Sequence, residues 1–153
     1  MSTRQRRAPS LTTVDAVAQF SFVVQGLVQR RADEQGVSMV QIRLLGILRD
    51  RTPTMNELAR LLGLDKSSVT GLVDRAEHRG LVARVASPTD RRAVHVGLSD
   101  VGRALVSTVS AQFEADVADL LRVLPPAERR QLADLLGRAL AAHAAGRGID
   151  PST

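Results

Sequence analysis

Cysteine, tryptophan and tyrosine are absent from the 153 residues, and the aromatic content comes to three phenylalanines. Without cysteine there is neither a disulfide framework nor a thiol redox switch. With so few rings the core must be built from Leu, Val and Ala, which a hydrophobic fraction of 44% can supply. Lysine is nearly missing too. Lys66 is the only one, so the formal charge of +5 rests on guanidinium groups. These pair bidentately with acidic partners; an arginine-rich background composition is the plainer reading. No apolar run reaches 18 residues, so no membrane-spanning helix is expected. Arg6-Arg7 stands before a partly apolar stretch, as in an export signal. Asp15, Gln19 and Gln25 interrupt that stretch and no small-residue cleavage site follows, so a cytoplasmic chain is expected. His78, His95 and His143 are too scattered for a metal site, and neither metal nor cofactor is expected. The length is that of one domain.

What is present is organised around residues 64–80, whose spacing predicts a helix with two unlike faces. Val69, Leu72, Val73 and Ala76 recur at i, i+3, i+4 and i+7 and form an apolar stripe. The opposite side carries Ser67, Gly71, Asp74 and His78, flanked by Ser68, Thr70 and Arg75. Short hydroxyls and a glycine suit a helix that must approach a surface closely, as in a DNA major groove; Ser and Thr placed for capping are the alternative. Upstream, Thr54-Met55-Asn56-Glu57 fits a capping box. Leu58, Leu61 and Leu62 supply an apolar face, and Gly63 suits a left-handed cap. Helix, glycine turn, helix is the helix-turn-helix unit, with Ala59 small where the two cross. Downstream, Gly80 ends the second helix. Residues 81–85 read as a strand, 87–92 as a turn-rich basic tip, and 93–98 as a returning strand.

The stretch Leu-Asp-Lys-Ser-Ser-Val-Thr-Gly-Leu-Val-Asp-Arg, then Arg-Gly-Leu-Val, then Asp-Arg-Arg-Ala-Val-His-Val-Gly-Leu-Ser-Asp-Val-Gly, within residues 64–105, resembles the MarR family of bacterial transcriptional regulators. The resemblance covers about a quarter of the chain and implies a mainly α fold with a small two-stranded wing: a winged helix-turn-helix joined to a helical dimerisation lobe. In that family the arginine two residues after the wing aspartate works the minor groove. The match falls on Arg92, with Asp90 orienting it and Arg91 beside it; a solvated polar turn is the alternative. The match also places Asp74 where it can pair with a wing arginine and fix the angle of the wing. Ser67, Ser68 and Thr70 are then expected to donate to phosphates or base edges, Gly71 to permit close approach, and Lys66 and Arg75 to contact backbone or guanine. Family members usually repress, and release DNA when a small aromatic or anionic molecule binds between the lobes. Phe20, Val24, Arg43, Ile47 and Phe113 are the pocket candidates here, with plain core or surface as the other reading. The absence of cysteine departs from the family's peroxide-sensing branch.

The flanks fit this plan. Residues 1–10 read as a mobile basic arm, which touches DNA backbone or is merely a solvated tail. A helix near 13–34 carries two apolar stripes: Val14, Val17, Ser21, Val24 and Val28 on one side, Phe20, Val23 and Leu27 on another. A second subunit is the natural cover for the surplus face. A helix near 38–50 follows, then a long one over 99–123 capped by Ser99, spanning ~37 Å at 1.5 Å per residue, and after Pro125-Pro126 a last one over 126–145. Residues 36–98 are thus expected to form the DNA-binding lobe, and 11–35 with 99–146 the dimerisation lobe; a monomeric six-helix bundle is the alternative. A homodimer would place two recognition helices one turn of a pseudo-palindromic duplex apart, at ~34 Å. An enzyme would need a convergent acid, base or nucleophile, and no such motif is present. A winged helix serving only protein interactions should have an acidic or apolar recognition face, unlike this one.

Overall fold

The computed structural model describes residues 11–86 and 94–146. Among them are six helices and two strands: α1 (Thr13–Glu34), α2 (Met39–Leu48), α3 (Met55–Leu62), α4 (Lys66–His78), β1 (Val82–Ala86), β2 (Val94–Leu98), α5 (Asp100–Leu120) and α6 (Pro126–Gly146). The expected mainly α architecture with a two-stranded wing is what forms. The basic arm at 1–10 and the wing tip at 87–93 lie outside the described residues.

Local chemistry sets most boundaries. Thr12 caps α1 by accepting from the Asp15 amide, and Gly36, at φ +62°, turns the chain out of it. Capping boxes start α2 (Ser38 with Gln41) and α3 (Thr54 with Glu57), two amides being satisfied reciprocally in each. Gly63 (φ +66°) and Gly80 (φ +69°) close α3 and α4 in the left-handed region, where a Cβ is costly. Leu64 N–H then reaches back to the Ala59 carbonyl and Leu81 N–H to that of Ala76.

Two helices end earlier than their sequence patterns suggest. α2 stops at Leu48 rather than near 50, and Pro53 is already buried against the wing, its carbonyl accepting from Val96 N–H at 2.9 Å. α5 stops at Leu120 rather than near 123, because tight turns take over: Arg122 N–H bonds the Asp119 carbonyl, and Leu124 N–H that of Leu121. Pro125 disfavours helical geometry at the residue before it. At 21 residues α5 is ~31 Å long.

The core gathers Ala32, Val37, Leu44, Leu45, Leu48, Leu58, Leu62, Val69, Leu72, Val73, Ala76, Leu81, Val82, Val96 and Val106. It is aliphatic, as the composition requires, and it lies within the segment that holds α2–α4 and the strands. α5 joins it through its first turns. Gly102 lies so close to the chain before β1 that a Cβ there would sit 1.9 Å from the Leu81 carbonyl oxygen. Ser99 fixes the same junction: its hydroxyl donates to the Gly80 carbonyl, its amide to the Leu81 carbonyl, and its oxygen accepts from Gly102 N–H. Farther along α5, Asp116 accepts two hydrogen bonds from Arg31 of α1, at 2.6 and 2.7 Å. α1 and α6 are otherwise poorly covered. Only Ala32 of α1 is buried and no residue of α6 is. Val14, Val17, Val23, Leu135 and Leu140 are exposed, as is Phe22, which neither sequence stripe included.

Candidate nucleic-acid interface

α4 displays the two faces its spacing predicts. Val69, Leu72, Val73 and Ala76 are almost completely buried, while Lys66, Ser67, Ser68, Asp74, Arg75 and His78 are exposed, with Thr70 and Gly71 half-buried. The inner stripe seats the helix on α3 and the strands, and so fixes which side chains face out. At Gly71 an added Cβ would lie 3.3 Å from an Arg75 guanidinium nitrogen, so the glycine leaves room for that side chain to lie along the helix.

The hydroxyls are not free. Asp65, which the sequence reading passed over, is the N-cap residue. Its carboxylate accepts from the Ser68 amide at 2.9 Å, the Ser67 hydroxyl at 2.5 Å and the Ser68 hydroxyl at 2.6 Å. These donors, the two hydroxyls foremost, hold the Asp65 carboxyl far below the usual carboxylate range. Thr70 Oγ1 donates back to the Lys66 carbonyl at 2.8 Å. All three hydroxyls expected to donate to DNA therefore have their protons engaged within the protein. The signal for Asp65 was available: an Asp two and three residues ahead of serines, just before an apolar period, is an N-cap pattern.

The wing is tied to α4 by an arginine the sequence reading also missed. Arg84, in the middle of β1, donates to Asp74 at 2.5 Å and makes a second, close ion pair with Glu77. Hydrogen bonding to Asp74 raises the Arg84 pKa further above its already high value. Asp74 is thus engaged by a strand arginine; Asp90, Arg91 and Arg92 lie outside the described residues. The sheet pairs Val82 with Leu98, Arg84 with Val96 and Ala86 with Val94. A bridge between Thr54 and His95 docks β2 against the entry to α3, and His95 Nδ1 lies 2.8 Å from the Thr52 carbonyl. At the far end of α4, Arg79 donates to the Gly36 carbonyl at 2.8 Å, anchoring the helix to the turn between α1 and α2.

Of the effector candidates, the structure brings Arg43 and Ile47 together. With Gly46, Asp50, Arg51 and Leu61 they line an open groove of about 390 Å³ between α2 and α3. Phe20, Val24 and Phe113 are half-buried on α1 and α5 and are not among its walls. Among the described residues there is no cluster of His, Asp and Glu suited to a metal ion, and no helix long and apolar enough to cross a membrane.

Residues 35–93 match the MarR family model. YdgJ of Bacillus subtilis, described as an uncharacterized HTH-type transcriptional regulator, is 29% identical over 104 residues, 67% of this chain and 63% of YdgJ. Among solved structures, CouR of Rhodococcus jostii bound to p-coumaroyl-CoA superposes with a TM-score of 0.69 at 26% identity, over 85% of this chain and 92% of that one. Apo MarR of E. coli gives 0.70 at 23% identity, over 85% and 98%. The winged helix-turn-helix is thus similar in sequence to the MarR family, and the chain as a whole is similar in fold to the solved structures of MarR and CouR.

Proposed function

We propose that this protein is a sequence-specific DNA-binding transcriptional regulator that binds a pseudo-palindromic operator as a homodimer. The observation that carries the reading is α4 itself: a helix locked by four buried side chains, with small polar residues and Lys66 outward, beside a strand pinned to it through Arg84. Such a helix fits a major groove, and a wing held at a fixed angle reaches the adjoining minor groove, where arginine is favoured. On this reading residues 36–98 form the DNA-binding lobe, and 11–35 with 99–146 the dimerisation lobe. The apolar side chains left uncovered on α1 and α6 support self-association. Two half-sites also answer an energetic need, since one helix in one groove buries only about 600–1,000 Å². The description of YdgJ as a transcriptional regulator points the same way.

Control by a small aromatic or anionic effector, with repression as the ground state, is the finer part of the proposal. CouR carries an aromatic acyl-CoA, and the groove beside Arg43 and Arg51 offers guanidinium groups next to apolar Ile47 and Leu61. A ligand that prefers a different spacing of the lobes by a few kcal/mol suffices to release DNA. A cytoplasmic location belongs to the same reading.

Fluorescence anisotropy with the duplex upstream of the protein's own gene, beside a scrambled duplex of equal length at two salt concentrations, is the test. Tight binding to the upstream duplex alone, with a steep salt slope on both, is the expected result. Arg92→Ala should weaken operator binding by about 1–3 kcal/mol with the fold intact. Equal, weak binding to both duplexes, followed by failure to select any sequence from random DNA, would refute the reading in favour of a protein-interaction module.

A further inference from the structure

A hydroxyl has one proton to donate and two lone pairs with which to accept. On the outward side of α4 the protons of Ser67, Ser68 and Thr70 are each directed inward, two to the Asp65 carboxylate and one to the Lys66 carbonyl. Toward a bound duplex these side chains present lone pairs only. Phosphate oxygens, guanine O6 and N7 and thymine O4 are themselves acceptors and find no partner there. In the major groove the complementary groups are the exocyclic amino groups, N4 of cytosine and N6 of adenine.

We propose that Ser67 and Ser68, polarised by Asp65, act as hydrogen-bond acceptors that select an amino-bearing base, cytosine or adenine, in each operator half-site. This rests on the DNA-binding reading above and adds to it the chemistry of the base that is read. Asp65 is then a positioning residue: it sets the direction of two hydroxyls without touching DNA. Phosphate contacts fall to Lys66 and Arg75, the exposed cations on the same helix.

Asp65→Asn separates this role from capping. Asparagine caps a helix as well as aspartate does, its Oδ1 still accepting from the Ser68 amide. Its Nδ2, however, donates to a serine hydroxyl and turns that proton outward. Selection from random duplexes should give, for the full-length wild-type protein, an operator with a fixed base pair in each half-site that Ser67→Ala/Ser68→Ala no longer selects. For D65N the preference at that same base pair should change, with the rest of the site unchanged. In the selected operator, removing only the amino group, by purine for adenine or pyrimidin-2-one for cytosine, should weaken wild-type binding about tenfold and leave Ser67→Ala/Ser68→Ala unaffected. The two analogues also decide which base is read. Wild-type binding unchanged by removal of the amino group, or a D65N preference identical to wild type, would overturn the serine assignment while leaving DNA binding in place. Enrichment of no duplex by the wild type would overturn both.

Discussion

Arg31 and Asp116 are 85 residues apart in sequence, yet they form a bidentate ion pair between α1 and α5, with Arg30 and Glu34 completing the cluster. Hydrogen bonds from Arg31, then Arg30, hold the Asp116 carboxyl below its ordinary range. Glu57 is lowered by the Thr54 amide and hydroxyl, and Asp65 by its serines. A carboxylate depressed in the folded state contributes stability that is complete above its unfolded value, near 4, and is lost as pH falls through the folded one. Thermal unfolding followed by circular dichroism should therefore show a midpoint flat from about pH 5 to 7 and falling below about pH 4. Asp116→Asn should lower the midpoint at neutral pH and make the acid decline shallower; an unchanged acid limb would show that the pair does not hold the helices together. Nothing in the sequence marks this pair, since charge alone cannot say which of 20-odd basic residues a carboxylate meets across the fold. The candidate DNA contacts on α4 were legible because a periodicity of 3.6 fixes what faces out. The direction of their hydroxyl protons was not, because it depends on a neighbouring cap, Asp65, for the two serines and on the Lys66 carbonyl for Thr70.

At the level of elements, what was legible is what is decided within four residues. The Thr54–Glu57 capping box, the Gly63 and Gly80 caps and the Ser99 cap are read from the chain because their hydrogen bonds close locally. The ends of α2 and α5 ran long in the sequence pattern, since the apolar rhythm continues into turns that packing and prolines terminate. Gly102 belongs to the illegible class: in a helical first turn it looks unremarkable, yet the fold needs it bare. Gly102→Ala should destabilise the protein by about 1–3 kcal/mol, read as a lower denaturant midpoint. The Leu81 carbonyl cannot retreat without losing the Ser99 amide it accepts. Gly46→Ala, in α2 with open space at the Cβ position, should by contrast stabilise by up to about 1 kcal/mol.

For the whole molecule, the uneven burial is the informative property. α2–α4 and the wing share a dense core, whereas α6 contributes nothing to it and α1 only Ala32. The two-sided greasiness of α1 could be read from its valines, but which residues stay bare could not; Phe22 is among the most exposed of them. Replacing Leu135 and Leu140 together by Glu should yield a folded monomer in sedimentation velocity at micromolar concentration, with operator affinity reduced to that of a single half-site. A wild-type protein that sediments as a monomer would refute the dimeric arrangement.

α5 is fastened at both ends, to the base of the wing by Ser99 and Gly102 and to α1 by Asp116. Mechanically this makes it a lever with its fulcrum at Gly102. The fourteen residues from there to Asp116 span about 21 Å, so a tilt of roughly 5° swings the far end by about 2 Å. That exceeds the tolerance of a bidentate hydrogen bond, so the ion pair with Arg31 is compatible with only a narrow range of angles between the wing and α1.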